Sequence, residues 1–228
     1  MTAEGILIPM SDINPRVPIY EGKGITILYE DRLCMSASEC NRADGGLFMR
    51  GRNPWCSPDC MSPEDAAEIV RRCPSGALTY ILKDGGPQES PEPRNVAVVS
   101  NNGPLYLKGD LKIDGAEKGL EGTKCRAALC RCGRSNQKPF CDDAHEDPLF
   151  DDSGAVGKKG PGYEGEGGKL NVGKIPDGPL MVCGKLTIVA GNGREAWKGT
   201  DVELCRCGYS ATKPFCDYTH VEKGFKAE

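Results

Sequence analysis

Two short alternating stretches recur in the C-terminal half of the chain. Leu105-Tyr106-Leu107 and Leu111-Lys112-Ile113 return as Leu180-Met181-Val182 and Leu186-Thr187-Ile188, each 75 residues downstream. Apolar residues at every second position predict strands with one buried face. Nearer the N-terminus, Ile25-Thr26-Ile27-Leu28-Tyr29 predicts a strand and Leu78 to Leu82 another. Between them Ser62-Pro63-Glu64-Asp65 marks a helix start, with Ser as N-cap, Pro at the first helical position and an acid at the third. The helix is predicted to run to about Arg72 and to deliver Cys73.

The same offset carries Cys130, Cys132, Ser135, Pro139, Phe140, Cys141 and His145 to Cys205, Cys207, Ser210, Pro214, Phe215, Cys216 and His220. Two copies of one module therefore lie in tandem. Glycines crowd the stretch from Glu146 to Lys169, which predicts a flexible connection. A second boundary, Asp84-Gly85-Gly86-Pro87 through Pro93, sets off the first domain. The expected division is residues 1–84, 95–150 and 170–228, in an α+β chain: a βαβ domain followed by a β-rich tandem pair.

Composition changes the picture in one respect. Among 228 residues there are 30 Gly, 17 Pro and few aromatics, so a large apolar core is not what holds the chain. A net charge of -4 without a Lys/Arg stripe argues against nucleic acid as a partner. No apolar run spans a membrane and no secretory signal is evident, so a cytoplasmic protein is expected. Thiols stay reduced there, so 13 cysteines read first as metal ligands.

Both copies read C-x-C-x2-S-x3-P-x-C-D-x2-H, and both histidines of the chain fall on it. Three thiolates and one imidazole fit structural zinc. However, zinc knuckles usually space cysteines as C-x2-4-C, whereas C-x-C suits two ligands on one iron of a dinuclear cluster. The second iron would take Cys141 and His145, one helical turn apart, with Asp142 placed to cap the turn.

At these residues the sequence resembles the CDGSH iron-sulfur family, the mitoNEET-like proteins. The resemblance implies two [2Fe-2S] clusters, held by Cys130, Cys132, Cys141 and His145 and by Cys205, Cys207, Cys216 and His220. The motif's Gly is replaced by Asp143 and Tyr218; at positive φ those residues would strain the pocket. Single-motif members are dimers that share a β-sandwich, so the resemblance implies a monomer with internal pseudo-two-fold symmetry.

In the first domain Cys73-Pro74 after a helix, with Cys34-x5-Cys40, resembles the divergent mono-cluster ferredoxins. Ala37 stands where a ferredoxin has its central cysteine. Cys34, Cys40 and Cys73 suit a [3Fe-4S] cluster; a fourth thiolate from Cys56 or Cys60 would allow [4Fe-4S], and the sequence leaves that choice open. Zinc is the alternative here too. Cys125 and Cys183 have no counterpart at the repeat offset and read as packing residues. Arg126, Arg131, Arg134, Lys138, Arg206 and Lys213 read as a solvated positive face beside anionic clusters, or as a docking patch for an acidic partner.

With no nucleophile–base pair and both histidines committed to metal, no enzyme is expected. Electron transfer to a redox partner protein is the leading expectation. A cluster or iron carrier serving a cluster acceptor, a redox or pH sensor, and a zinc-stabilised interaction module are the alternatives.

Overall fold

The computed structural model describes residues 17–116, 119–146, 150–165 and 167–228. Residues 1–16 of the expected first domain lie outside the described residues. The N-terminal unit is a three-stranded antiparallel sheet in the order β1 (Ile19–Glu21), β2 (Ile25–Tyr29), β3 (Leu78–Leu82). A short helix α1 (Glu39–Arg42) and the helix α2 (Pro63–Arg71) lie between β2 and β3. The Ser62 hydroxyl accepts from the Asp65 backbone N–H at 3.1 Å, the cap the sequence predicts. Ala66, Ala67, Ile69 and Val70 of α2 are buried against Ile25, Ile27, Leu78 and Tyr80.

The tandem copies build one seven-stranded sheet from β4 (Val96–Val99), β5 (Leu105–Lys108), β6 (Leu111–Ile113), β7 (Arg126–Leu129), β8 (Leu170–Lys174), β9 (Leu180–Val189) and β10 (Glu195–Leu204). Its register repeats at the sequence offset. Val96 pairs with Lys108 as Asn171 pairs with Cys183, and Leu105 pairs with Leu129 as Leu180 pairs with Leu204. The parallel pairings cross between copies: β6 of the first lies beside β8 of the second, and β9 of the second lies beside β4 of the first. Lys112 faces Asn171 where Thr187 faces Val96, so the exchange obeys an internal pseudo-two-fold.

The copies differ at one edge. In the second, β10 pairs along both halves of β9, so the two predicted segments fuse into one strand. In the first, the equivalent of the start of β10 is a 3₁₀ turn, Glu121–Lys124, and β5 and β6 remain separate. That turn is where the N-terminal unit packs: a Cβ on Gly122 would overlap the Gly76 carbonyl. The joint is not a loose tether. Leu33 and Ala77 share the core of the tandem sheet, with Tyr29 and Cys73 packed on it.

The glycine-rich connection also departs from the expected flexible linker. Phe150 and Val156 are buried, Gly191 N–H donates to Gly154 O at 2.9 Å, Gly162 N–H to Lys198 O at 2.9 Å, and the Tyr163 hydroxyl lies 2.7 Å from Thr187 Oγ1. Its glycines let the backbone lie close against the sheet; a Cβ on Gly160 would overlap Lys198 O. Among the described residues no helix is long and apolar enough to cross a membrane.

Candidate metal centres

Each copy ends in a loop that folds its ligands together in pairs. Leaving β7, the chain places Cys130 and Cys132 with sulfurs 3.7 Å apart; leaving β10, it places Cys205 and Cys207 3.5 Å apart. Two thiolates on one tetrahedral metal with bonds of ~2.3 Å lie ~3.7 Å apart, so both spacings suit a shared metal. The other pair is a thiol and an imidazole: Cys141 Sγ is 3.3 Å from His145 Nδ1, and Cys216 Sγ is 3.5 Å from His220 Nδ1. Nδ1 is therefore the nitrogen turned inward, while His145 Nε2 lies 3.7 Å from Asp143 Oδ1.

The rest of the motif shapes the loop. Ser135 Oγ donates to Phe140 O at 2.6 Å and Ser210 Oγ to Phe215 O at 2.7 Å. Cys141 N–H donates to Ala128 O at 2.9 Å and Cys216 N–H to Glu203 O at 3.0 Å, tying the third ligand back to the strand. Asp142 accepts from Asn136 N–H at 2.8 Å and Ala144 N–H at 3.2 Å, and Asp217 from Ala211 N–H at 2.8 Å and Thr219 N–H at 3.1 Å. These carboxylates cap the 3₁₀ turn Ala144–Glu146 and the helix α3 (Thr219–Glu222) that carry the histidines. Asp143 and Tyr218 do adopt positive φ, at 74° and 65°. Each costs about 1 kcal/mol relative to glycine, and Tyr218 regains a 2.5 Å hydrogen bond to Glu203.

Electrostatics in each thiol pair favours a shared proton. One thiol is pushed down because its neighbour donates to its sulfur, and the other is pushed up by the same bond and by burial. Arg134 N–H and Tyr209 N–H, each 3.5 Å from a ligand sulfur, also favour thiolate. Burial pushes the Cys141 thiol up to about 12. A metal replaces these protons and satisfies the thiolates together, so binding releases acid.

The positive residues around the loops are not a solvated face. Arg131 is 3% exposed and Arg206 1%. Arg131 donates to Gly103 O at 2.8 Å and Ser100 O at 2.5 Å; Arg206 donates to Gly178 O at 2.7 Å and Ile175 O at 2.6 Å. Their guanidiniums lie over the Phe150 and Phe225 rings at 5.4 and 5.7 Å. Lys138 and Lys213 bind Ser135 O and Ser210 O at 2.5 and 2.7 Å. The two arginines tie the ligand loops to carbonyls of the turns that precede β5 and β9, and the two lysines bond carbonyls within the ligand loops. Phe150 and Phe225 stand at the repeat offset, a signal that could have extended the motif.

In the N-terminal unit Cys34, Cys40 and Cys73 line one recess with Met35, Ala37, Ser38, Glu39, Pro74 and Ser75. Ser36 and Ser38, on either side of Ala37, hold positive φ of 55° and 62°. The Cys40 thiol is pushed up to about 11 by burial, then by Cys73 and Cys34. Neither Cys56 nor Cys60 lines this recess. Cys56 is buried in the core with Phe48, beside Trp55, and its thiol is pushed up to about 12 by burial; Cys60 is exposed. Cys125 is buried with its thiol likewise at about 12, whereas Cys183 is partly exposed.

Comparison with known proteins agrees with this layout. A family model described as a divergent 4Fe-4S mono-cluster matches residues 20–83. One described as an iron-binding zinc finger of CDGSH type matches residues 102–146 and again 177–221. The uncharacterized protein YjdI of Escherichia coli K12 is 34% identical over 61 residues, 27% of this chain and 80% of that protein. YjdI of Escherichia coli O157:H7 gives the same figures. No solved structure matches. The chain is thus an iron-sulfur protein of the CDGSH family, carrying two CDGSH domains behind a divergent mono-cluster ferredoxin domain.

Proposed function

We propose that the protein transfers single electrons, with a [2Fe-2S] cluster in each CDGSH pocket and a ferredoxin-type cluster in the N-terminal recess. The donor sets fit: two close pairs per pocket suit a dinuclear centre, and three thiols around one recess suit [3Fe-4S], or [4Fe-4S] with a fourth ligand other than the two remaining N-terminal cysteines. When bound, such clusters supply one-electron oxidation and reduction. Three thiolates and a neutral imidazole leave less negative charge than four thiolates, which makes electron uptake less costly.

The observation that carries the proposal is the contact between the pockets. A Cβ on Gly133 would overlap the Cys207 carbonyl, and one on Gly208 would overlap the Cys132 carbonyl. Each pocket's second thiolate is thus covalently next to a glycine that touches the other pocket's ligand loop. The fold packs the two ligand loops against one another. The two tandem copies build one sheet within a single chain, so we propose a cytoplasmic monomer whose partner is a redox protein.

Iron, acid-labile sulfide and EPR on anaerobically purified protein, followed by a dithionite titration, test this. Reversible one-electron reduction of all centres supports it; irreversible bleaching contradicts it. A second reading, donation of a cluster to an acceptor, is favoured by one asymmetry: Cys141 is buried at 2% while Cys216 is partly exposed. Transfer to an apo-ferredoxin, in oxidised and reduced states, separates the two.

A further inference from the structure

The two CDGSH pockets are related by the pseudo-two-fold, yet the N-terminal unit sits on only one of them. Met35, directly after Cys34, is 4% exposed. It forms one buried apolar cluster with Ala128 of β7 and the ligand Cys141, and Ala37 and Tyr106 of β5 pack against that cluster. Tyr106 and Ala128 are register partners across β5 and β7. The Tyr106 phenol is pushed up to about 12, first by burial, then by Cys141, Asp143, Glu39 and Cys73. Met35 and Ala37 of the N-terminal loop and the candidate ligand Cys141 therefore meet in one cluster with this ring.

The second copy lacks this seat. At the repeat offset Ala128 becomes Glu203, Tyr106 becomes Met181, Gly122 becomes Trp197 and Arg126 becomes Asp201. Arg126 is the residue that bonds the N-terminal unit, donating to the Cys73, Val70 and Leu78 carbonyls. The copies have thus diverged at the positions where the N-terminal recess meets a pocket.

We propose that Met35 and Tyr106 form the electron-transfer contact between the N-terminal centre and the first CDGSH centre. The inference rests on the electron-transfer reading. The step moves one electron, oxidising one centre and reducing the other, and no covalent bond forms or breaks. Met35 and Tyr106 are positioning residues: they fill the space between a loop carrying Cys34 and Cys40 and a loop carrying Cys141. Electronic coupling falls steeply across unfilled space, and a void too small for water leaves its lining atoms without partners.

The test uses the loaded full chain as wild type, Met35→Ala, Met35→Leu and Tyr106→Leu. Each is mixed anaerobically with less than one reducing equivalent of dithionite and frozen at intervals for EPR. The expected result is redistribution from the N-terminal signal to the [2Fe-2S] signals that slows on the order of tenfold in Met35→Ala, where a void opens, and recovers in the volume-conserving Met35→Leu. The N-terminal line shape and the midpoint potentials stay at wild-type values, which a general structural defect would not allow. If Met35→Ala loses its N-terminal signal, Tyr106→Leu, outside the ligand loops, carries the same expectation. Wild-type protein without redistribution overturns the relay reading. Redistribution that both Met35→Ala and Tyr106→Leu leave at the wild-type rate overturns the contact alone.

Discussion

Arg126→Met separates the N-terminal unit from its seat more cleanly than any other single change. Arg126 is 3% exposed. It donates to Cys73 O at 2.5 Å, Leu78 O at 2.6 Å and Val70 O at 3.2 Å, and it pairs with Glu89, whose side chain is 12% exposed. Burial pulls its pKa down, which measures the solvation it has given up. Methionine keeps the apolar stem but leaves the Cys73 and Leu78 carbonyls and the Glu89 carboxylate without this donor, while Val70 O keeps the Cys73 N–H. Removing one partner of such a buried arrangement costs about 3–5 kcal/mol. For a chain of this size, each kcal/mol shifts the midpoint by about 2–4 °C, so thermal unfolding should fall by about 6–20 °C. Because Cys73 sits on the carbonyl that Arg126 holds, the N-terminal EPR signal should weaken before the [2Fe-2S] signals do. Calorimetry and EPR on the same preparation check both. Arg126→Lys should recover little, since an ammonium cannot span three carbonyls. A midpoint within about 2 °C of wild type, less than 1 kcal/mol, with the N-terminal signal intact refutes the argument.

Asp143→Gly should relieve a backbone held at φ 74° and raise stability by about 0.5–1 kcal/mol in thermal unfolding, with slower loss of visible absorbance; a lower midpoint would show that the aspartate side chain matters more than the strain. Imidazole ligates only when neutral, so visible absorbance should bleach faster at pH 6 than at pH 8, and His145→Cys should slow the first pocket's decay. Equal rates at the two pH values would contradict a histidine ligand. Glu195, bonded by Lys198 and Arg94, has its carboxyl held down at about 2. Its folded pKa lies below the ordinary carboxylate value, so its contribution is present above about pH 4.5 and disappears as pH falls toward 2. An NMR titration should give the low midpoint, and Arg94→Ala should raise it; an ordinary midpoint in wild type would remove both ion pairs from the account.

The candidate ligand sets were legible in the sequence because metal chemistry admits few residue types and fixes their spacing. Cys130, Cys132, Cys141 and His145 announce themselves through their repeat, and the fold brings them into the expected pairs. The strands were legible through alternation, and the α2 cap through Ser62 and Pro63. What remained hidden depends on distant partners. Nothing local states that β6 pairs with the other copy's β8, because register is set by the packed faces of both. Glu121–Lys124 reads no differently from the start of a strand; it turns because Gly122 must meet Gly76. The arginines misled most, since a charged side chain reads as solvated until the carbonyls that need it are known. Arg131 and Arg206 lie between ligand cysteines at the repeat offset, and that recurrence was the available warning.

The proposed electron-transfer function requires that centres held in the two touching ligand loops exchange electrons. The direct measurement is freeze-quench EPR of the loaded wild-type chain after addition of less than one reducing equivalent. The account predicts that the electron spreads among the centres within milliseconds, according to their potentials. An electron that stays for seconds on whichever centre first received it would contradict the account.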